Sequence, residues 1–439
     1  MKKKEETIML QTNHTINQAG HFAVAGVDTV SLAEKYGTPL YVLDEDLIRS
    51  QMSRYVSAVK AYLPAGSKPF FASKALSFKE MYRIAQSEGM GTDIVSAGEL
   101  YTALAAGFGG ENMCFHGSAK TRAEIRYGIK SGVGHFVVDN EQELRWVSEI
   151  AQELGTTQKV LLRLTPGIDP HTFEAVNTGK ADSKFGMSIE TGQAMDFIQL
   201  ALKLSGLEVV GFHCHIGSQI ADEKPFQDAV DIMLEFMTDV RSETGYTATV
   251  LNLGGGPAVP YADGEPDADI EAQIRDTGLH LKKRCLELSY PEPAVWLEPG
   301  RSIVGAAGVT LYTVQNVKII SGYKNYIAID GGMTDNPRYA LYGARHPALI
   351  ANRAGEPAEF VADLAGRCCE SGDLIGEEMS IQKPEAGDTV AVLVTGAYNY
   401  SMASNYNRVP RPPVVMLRNG EDRLVVRRET LEDIVACDL

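Results

Sequence analysis

Lys74, in the segment FFASKALS, is the residue of this sequence best suited to covalent chemistry with a carbonyl compound. It follows a short apolar run, so a strand would deliver its amine to the point where the strand ends. We expect an amine at the inner rim of a barrel to lose solvation, which lowers its pKa and favours the neutral, nucleophilic form. Such an amine forms a Schiff base with an aldehyde. The alternative is a solvated lysine just past a strand, and this segment alone leaves both open.

Three consecutive glycines, Gly254, Gly255 and Gly256, follow the apolar run TVLNL. Without side chains they let backbone N–H groups approach closely and form a concavity that binds an anion such as phosphate. Three glycines after a strand are also common in tight turns. The segment therefore predicts either a phosphate site or a turn.

The segment GFHCHIGSQ places His213 and His215 two residues apart, so on one strand their side chains point to the same face. Paired histidines can bind a metal ion, but no carboxylate or third histidine is spaced along the sequence to complete a set of ligands. We therefore predict no metal site. An imidazole can instead stack on an aromatic ring, and the hydroxyl of Ser218 can hydrogen-bond a phosphate. A purely structural role for the pair is the other interpretation.

Glu298 and Arg301 lie in the segment LEPGRS, after another apolar run. A carboxylate beside a pyridine nitrogen keeps that nitrogen protonated, because an adjacent opposite charge favours the charged form. A protonated pyridine ring is an electron sink. The planar guanidinium of Arg301 can bind a carboxylate or a phosphate. The alternative is a surface turn in which both side chains are solvated.

Three segments after residue 330 mix polar and aromatic residues without an evident folding reason. Arg338 and Tyr342 lie in DGGMTDNPRYALYGA, Cys369 and Glu370 in CCESGD, and Tyr398 in GAYNYSMASNYN. Loop residues of these types are usually solvated, so each alone is a weak candidate for a binding site.

The elements that must position these residues follow a regular order from about residue 69 to 298. Eight short apolar runs alternate with longer segments of helical periodicity; the runs are PFFAS, TDIVS, MCFHG, HFVVD, VLLRL, VVGFHCH, TVLNLGGG and AVWLEPG. This alternation predicts right-handed βαβ units and a parallel sheet. Polar residues end the runs: Lys74, Asp93, Ser96, His116, Asp139, Arg163, His213, His215, Gly254–Gly256 and Glu298.

Eight such units close into a (β/α)₈ barrel of the TIM type, which carries its chemistry at the carboxyl ends of the strands. A doubly wound open sheet is the alternative, but polar ends on all eight runs favour the barrel. After Gly300 the sequence becomes β-rich and broken by turn formers, which predicts a second, mainly β domain. We predict a flexible tail over 1–20, a barrel over 45–300, and a β-rich domain formed by 21–44 plus 301–439.

The composition excludes several classes of protein. The 439 residues carry a formal charge of −16, with 44% hydrophobic and 22% charged residues, as in globular rather than disordered chains. A surface with this much negative charge repels nucleic acid and anionic lipid. We therefore predict neither as a partner. No apolar run reaches the ~18–20 residues that span a bilayer, and the amino terminus lacks the apolar stretch of a signal peptide. Six cysteines without CxxC spacing agree with reduced thiols in the cytoplasm.

Taken together, these segments resemble those of the diaminopimelate decarboxylases, which belong to the alanine racemase-like (fold type III) group of pyridoxal-phosphate enzymes. The resemblance rests on FFASKALS, HGSAK, GFHCHIGSQ, LNLGGGP, EPGRS, DGGMTDNPRYALYGA, CCESGD and GAYNYSMASNYN, in this order. It extends from about residue 38 to 415. The last three segments are the more specific to the diaminopimelate branch.

The resemblance implies a role for each residue. Lys74 would hold pyridoxal 5'-phosphate through a Schiff base, Asp93 would position the cofactor and His215 would stack on its ring. Glu298 would pair with the pyridine nitrogen. The phosphate would be surrounded by Ser218, Gly254, Gly255, Gly256, Arg301 and Tyr398. The substrate would be fixed by Arg301, Arg338, Tyr342, Glu370 and Tyr398. Cys369 would protonate the carbanion, reaching the site from the other subunit of a homodimer.

The sequence departs from the family pattern at a few positions. Pro337 and Tyr339 flank Arg338, where an apolar residue and a proline are expected, and Asn399 replaces a glycine after Tyr398. Cys368 places a second thiol beside Cys369, which leaves open which of the two is the acid.

The resemblance implies a lyase that decarboxylates meso-2,6-diaminopimelate to L-lysine and CO₂, the last step of lysine biosynthesis. The nearest alternative is a sister decarboxylase acting on ornithine, arginine, carboxynorspermidine or a D-amino acid. A catalytically dead, decarboxylase-like regulator is the alternative outside enzymes, but such a protein should lack Lys74 or Cys369, and both are present.

Overall fold

The computed structural model describes residues 13–168, 183–261, 265 and 267–439. The strands within these ranges are β1 (His14–Ile16), β2 (Phe22–Val24), β3 (Val27–Asp28), β4 (Leu40–Asp44), β5 (Lys68–Ala72), β6 (Gly91–Ile94), β7 (Met113–Phe115), β8 (His135–Val138), β9 (Gln158–Thr165), β10 (Met187–Ser188), β11 (Leu207–His213), β12 (Val250–Asn252), β13 (Ala294–Leu297), β14 (Gly308–Ile320), β15 (Lys324–Ile329), β16 (Ala348–Ile350), β17 (Phe360–Ala365), β18 (Leu374–Ile381), β19 (Thr389–Leu393), β20 (Val414–Arg418) and β21 (Glu421–Val426).

The α-helices within the same ranges are α1 (Thr29–Tyr36), α2 (Glu45–Tyr62), α3 (Lys79–Ser87), α4 (Ala97–Ala105), α5 (Arg122–Lys130), α6 (Glu141–Glu153), α7 (Gln193–Lys203), α8 (Lys224–Thr244), α9 (Ile270–Glu287), α10 (Arg301–Val304), α11 (Arg338–Tyr342) and α12 (Leu431–Val435). None of these helices is both long enough and apolar enough to cross a bilayer.

One compact unit comprises the described residues of 51–258 and 267–302. Its parallel strands pair in the order β5, β6, β7, β8, β9, β11, β12, β13, and β13 pairs with β5 again, so the sheet closes. The short strand β10 adds to β9 outside the ring. Every predicted apolar run overlaps one of these eight strands. The (β/α)₈ barrel is confirmed, and the open doubly wound sheet is excluded.

Helix α6 shows why the segments between the strands fold as predicted. Asn140 caps its amino terminus, accepting a hydrogen bond from the Glu143 backbone at 3.0 Å. Apolar residues recur three or four positions apart, and Leu144, Val147 and Ile150 are all fully buried. This spacing gives the helix one apolar face.

The interior of the barrel is filled by one layer of large side chains from different strands. Phe70 and Trp296 lie with ring centroids 4.9 Å apart. The layer consists of Phe70, Cys114, Val137, Leu161, Val250 and Trp296. Side chains alternate between the two faces of a strand, so residues two positions further along face the same interior. The next layer therefore lies at the carboxyl ends of the strands, where the sequence has polar residues.

A buried ion pair links two βα units of the barrel. The Nζ of Lys120 donates to the carboxylate of Glu143 at 2.7 Å and to the carbonyls of Gly117 and Val137 at 2.8 and 2.9 Å. The side chains of Lys120 and Glu143 are 1% and 2% exposed, so neither charge is solvated. Lys120 belongs to the HGSAK segment, and these contacts give it a structural role.

Replacing Lys120 by alanine is expected to lower the free energy of unfolding by about 3–5 kcal/mol, since it leaves the carboxylate of Glu143 buried without its cation. Urea unfolding followed by circular dichroism measures this loss. The double variant Lys120→Met/Glu143→Leu removes both charges and should lose much less. A loss below about 1 kcal/mol for the single variant would contradict the role of this pair.

The second unit comprises the described residues of 1–50, 259–266 and 303–439 and is mainly β, as predicted. Its large sheet has the order β18, β17, β15, β14, β4, β20, β21, and β19 pairs with β14 and β16. Strand β4 lies antiparallel to β14 and parallel to β20, which brings residues near 40 into the carboxyl-terminal sheet. The predicted division assigned 45–300 to the barrel and 301–439 to the β-rich domain. The contacts instead place 45–50 and the described residues of 259–266 with the β unit, and 301–302 with the barrel unit.

The prediction of a flexible tail over 1–20 is wrong for the part that the structure describes. Residues 1–12 lie outside the described residues. His14–Ile16 form β1, which pairs antiparallel with β2. The buried imidazole of His14 packs edge-on against Phe22, with centroids 5.0 Å apart. This contact adds to the pairing of β1 with β2.

Candidate active site

The site in the barrel unit begins with the polar layer at the carboxyl ends of the strands. His116, Asn252 and Glu298 each lie two residues after a residue of the apolar layer, namely Cys114, Val250 and Trp296. A one-residue irregularity in β11, between Val209 and Gly211, shifts the register of that strand against β9. His213 is consequently paired with Arg163 on β9 and with Asn252 on β12.

Glu298 is the centre of this layer. Its Oε1 accepts hydrogen bonds from His116 Nε2 at 2.8 Å and from Asn252 Nδ2 at 2.7 Å. Its Oε2 accepts one from His213 Nε2 at 3.2 Å. All four residues are buried, and Asn252 also fixes the glycine loop, since its Oδ1 accepts from the Gly254 backbone at 2.9 Å.

The protonation states follow from burial and these contacts. Burial lowers the pKa of His213 to about 4 and lowers that of His116, although the charge of Glu298 opposes both shifts. Burial alone would raise the pKa of Glu298, but His116 and His213 hold it well below its usual range. The imidazoles are therefore neutral near pH 7, and each Nε2 carries the proton that it donates to the ionised carboxylate.

These contacts bear on the statement that no carboxylate or further histidine is spaced along the sequence to complete a set of ligands with His213 and His215. Ligand-type atoms of His116, His213 and Glu298 lie within 4.8 Å of one another, so one member of the pair in GFHCHIGSQ, His213, does lie beside another histidine and a carboxylate; His215 is not part of this cluster. Spacing along the chain did not reveal it, because its members come from three different strands. Its hydrogen bonds account for the cluster, and the absence of a metal site stays a prediction.

Lys74 lies in a short 3₁₀ turn, Ser73–Ala75, directly after β5. Its side chain is exposed in the single chain, so the expected loss of solvation is not observed there; the turn places Lys74 beyond the end of the strand. The backbone of Ser73 donates to Asp93 Oδ1 at 2.8 Å. Burial and the charge of Glu298 raise the pKa of Asp93 well above its usual range, and Lys74 opposes this shift.

Neighbouring atoms lie so close to the loop after β12 that three of its positions require glycine. Gly254 has φ +70°, and a Cβ there would lie 2.7 Å from Nδ1 of His215. A Cβ at Gly255 would overlap the carbonyl oxygen of Glu298. At Gly256, with φ +142°, it would lie 2.8 Å from the carbonyl oxygen of Gly217. Any side chain would therefore collide with the His215 ring or with the backbone of Glu298 or Gly217.

Arg301 stands beside this loop, at the first residue of α10. Its Nε donates to the hydroxyl of Ser218 at 3.3 Å, and the residue is only 5% exposed. A guanidinium, a hydroxyl and side-chain-free backbone N–H groups together suit a phosphate. With the amine of Lys74 and the carboxylate of Glu298, the barrel residues fit pyridoxal phosphate at its phosphate, aldehyde and ring-nitrogen ends.

The β unit groups three of the other predicted residues. The Arg338 guanidinium lies 5.1 Å from the ring centroid of Tyr342 and 5.4 Å from that of Tyr398. Arg338 is buried, Tyr342 is exposed, and Tyr398 adopts φ +61°. Two aromatic rings over one guanidinium orient it, and a planar guanidinium binds a carboxylate through two parallel hydrogen bonds.

Cys369 and Glu370 lie on a turn of the same unit, and both are exposed. The buried carboxylate of Asp373 fastens this turn, accepting from the backbone of Cys368 at 2.7 Å and from that of Met333 at 2.6 Å. Burial and the charge of Asp373 raise the pKa of the Cys368 thiol to about 12. Cys369 donates its backbone N–H to Asn407 Oδ1 at 2.9 Å and keeps its thiol exposed. The thiol of Cys369 is therefore the more accessible of the two.

The departures from the family pattern have local explanations. The hydroxyl of Tyr339 donates to the carboxylate of Glu377 on β18. Pro337 precedes α11 in a helical conformation, with φ −80°. Asn399 is fully buried and donates to the Thr395 carbonyl at 2.9 Å. These residues are accommodated within the β unit, and Arg338 remains stacked between its two tyrosines.

Two residues of the barrel site were missed or underused in the analysis of the sequence. His116 was noted only as a polar strand end, and Asn252 was not singled out. Both contact Glu298, across 182 and 46 positions of sequence. The signal that would have found them is alternation along each strand, which places residues two positions after the apolar layer on the same interior face.

Comparison with known proteins agrees with this geometry. Residues 46–305 match the family described as pyridoxal-dependent decarboxylase, pyridoxal binding domain. The chain is 44% identical to the diaminopimelate decarboxylase of Bacillus subtilis (strain 168), across 96% of each protein. It is 43% identical to that of Bacillus methanolicus, across 94% of this chain and 96% of that protein. The crystal structure of diaminopimelate decarboxylase from M. jannaschii in complex with L-lysine has a TM-score of 0.88 and 35% identity, covering 98% of both chains.

The closed barrel, the glycine loop and the family match define the chain as a pyridoxal-dependent decarboxylase of the fold type III group, whose cofactor is pyridoxal phosphate. Identity this high over nearly the whole chain narrows the class further. The chain belongs to the diaminopimelate decarboxylase family.

Proposed function

We propose that this enzyme removes one carboxyl group from meso-2,6-diaminopimelate and releases CO₂ and L-lysine, the last step of lysine biosynthesis. The observation that carries the proposal is the buried Glu298 carboxylate at the carboxyl ends of a barrel that belongs to this family. An ionised carboxylate in this position favours a protonated pyridine nitrogen.

When bound, pyridoxal phosphate supplies an aldehyde that condenses with amines and a pyridine ring that accepts electrons from a breaking bond. The residues of the barrel unit hold it and set its protonation. Lys74 supplies the amine for attachment, and Glu298 keeps the ring nitrogen protonated. His215 would contact the ring and Asp93 would position it. Ser218, Gly254, Gly255, Gly256 and Arg301 would bind the phosphate, and the family resemblance adds Tyr398 to this set.

The residues of the β unit serve the substrate. Arg338, oriented by Tyr342 and Tyr398, binds the carboxylate that is retained. Glu370 binds the amino group beside it, because a carboxylate and an ammonium attract each other. Cys369 returns a proton to the carbon that has lost its carboxyl group, and the geometry of its turn leaves its thiol accessible.

A panel of amino acids tests the substrate. We expect meso-diaminopimelate to yield CO₂ and lysine in equal amounts, with loss of activity when pyridoxal phosphate is removed and recovery when it is restored. Ornithine, arginine, carboxynorspermidine and D-amino acids should have a kcat/KM at least about 10²-fold lower, since they leave Arg338 and Glu370 without a second amino-acid head. Faster turnover of one of these would replace the proposed substrate, and no turnover of any would favour a regulator.

We also propose that the enzyme acts in the cytoplasm as a homodimer in which Cys369 of one subunit serves the active site of the other. The exposed Cys369 and Tyr342 support shared sites, since neither is protected within one chain. The six cysteines are all free, which agrees with a reducing compartment.

Mixing two inactive variants tests the shared site. We expect Lys74→Ala and Cys369→Ala enzymes, after exchange of subunits, to regain about a quarter of the wild-type activity, because half the dimers are mixed and each mixed dimer has one intact site. The double variant Lys74→Ala/Cys369→Ala, mixed with either single variant, is the matched control and should regain none. If Lys74 and Cys369 act within one chain, the mixture of single variants will stay inactive.

A further inference from the structure

The three donors around Glu298 come from separate strands and converge on one carboxylate. His116 follows β7, His213 ends β11 and Asn252 ends β12. Their donor atoms lie 2.8, 3.2 and 2.7 Å from the Glu298 oxygens, and all four residues are buried. The two imidazoles also pack edge to face, with centroids 5.0 Å apart and planes at 71°.

The distribution of donors over the two oxygens is unequal. Each carboxylate oxygen has two lone-pair directions. Oε1 accepts from both His116 and Asn252, which uses both of its directions. Oε2 accepts only from His213 among the residues that the structure describes. One acceptor position, on Oε2, is therefore left for a donor that these described residues do not supply.

We propose that His116, His213 and Asn252 are positioning residues that keep Glu298 ionised and leave one acceptor position of Oε2 for the N–H of a protonated ring nitrogen. The inference rests on the proposed function for its cofactor and extends it to three residues that act through Glu298. Their proposed role is to position and ionise Glu298 through the hydrogen bonds that they donate to it.

Both imidazoles donate to Glu298 in their neutral form. Burial lowers the pKa of His213 to about 4 and lowers the pKa of His116, so both donate one N–H without adding a positive charge that would repel a pyridinium. The other titratable groups whose charge acts on this layer or is acted on by Glu298 are Lys74, Asp93, Cys114, Lys120, Arg163, Cys214 and His215.

The test measures the titration of Glu298 in unloaded protein, in buffer with a chelator so that no metal occupies the cluster. Protein labelled with ¹³C at glutamate carboxyls is titrated by NMR, and the Glu298 signal is identified by its absence in Glu298→Gln. His213→Leu and His116→Leu should each increase the proton affinity of Glu298 about 10- to 100-fold, since each removes one donor to a buried anion. Asn252→Leu should do the same, which keeps the test decisive if one histidine variant does not fold.

Two controls separate donation from packing. His213→Gln retains an N–H near the position of Nε2, and we expect it to restore most of the wild-type affinity. His135→Leu removes another barrel histidine, a half-buried one that packs against Trp296 with centroids 4.8 Å apart, and should leave the proton affinity of Glu298 unchanged. The inference is overturned if the leucine variants shift the affinity less than about twofold, or if His213→Gln behaves like His213→Leu.

A second readout uses the loaded enzyme. With pyridoxal phosphate labelled by ¹⁵N in its ring, we expect the ring nitrogen to lose its proton at lower pH in His213→Leu than in the wild type. If the enzyme does not bind pyridoxal phosphate, the proposed function fails while the carboxyl titration still tests the positioning residues. If the cofactor binds and lysine forms but neither readout shifts, only this inference fails.

Discussion

Lys74→Ala is expected to lower kcat for lysine formation by at least about 10³-fold, because the variant loses both the amine that attaches the cofactor and a group that exchanges protons at the site. The structure places this amine on the 3₁₀ turn after β5, where it acts electrostatically on Asp93 and His215. Turnover under saturating diaminopimelate and excess pyridoxal phosphate measures the loss.

The matched control is Lys79→Ala, which removes an exposed lysine at the start of α3, five positions further along. It should retain wild-type activity. If Lys74→Ala keeps more than about a tenth of the wild-type kcat, the amine at this position is not the point of attachment and the assignment of the site is wrong.

Glu298→Gln is expected to lower kcat by about 10²- to 10³-fold while the cofactor remains attached. A neutral amide does not favour a protonated pyridine nitrogen, so the ring accepts electrons less readily. The substitution is nearly isosteric and keeps an oxygen that can accept from His116, so the barrel should fold. The absorption of the bound cofactor and the kcat for lysine formation are the two measurements.

Glu298→Asp gives the corresponding control for charge. It keeps a carboxylate but shortens the side chain, so we expect an activity between those of the wild type and Glu298→Gln. Equal activities for Glu298→Gln and the wild type would show that the charge at this position does not assist the reaction. A large loss of cofactor affinity in Glu298→Gln would instead assign Glu298 mainly to binding.

Much of the fold follows from local pattern. Each of the eight apolar runs overlaps a barrel strand, because β-branched and aromatic residues bounded by polar ends suit a buried parallel strand. Helices such as α6 were predictable from caps and apolar spacing. The likeness of several segments to one family then gave each candidate residue a role that its local sequence left open.

The remaining features depend on register, which local pattern does not determine. The contact between His116 and Glu298 requires β13 to pair with β5, which closes the ring and leaves only β5 and β6 between β13 and β7. The irregularity at Val209–Gly211 shifts His213 to the level of Asn252. The exposure of Lys74 depends on a turn of three residues. Residues 14–16 form a strand through pairing with β2, whereas the sequence predicted a flexible tail there.

Covalent attachment at Lys74 is the central claim, and reduction followed by peptide mapping tests it most directly. Purified enzyme is treated with borohydride, which makes the bond between cofactor and amine permanent, and is then digested and examined by mass spectrometry. We predict that the peptide containing FFASKALS carries the mass of reduced pyridoxal phosphate on Lys74. A modification on another lysine, or none on enzyme that still produces lysine, would contradict the account.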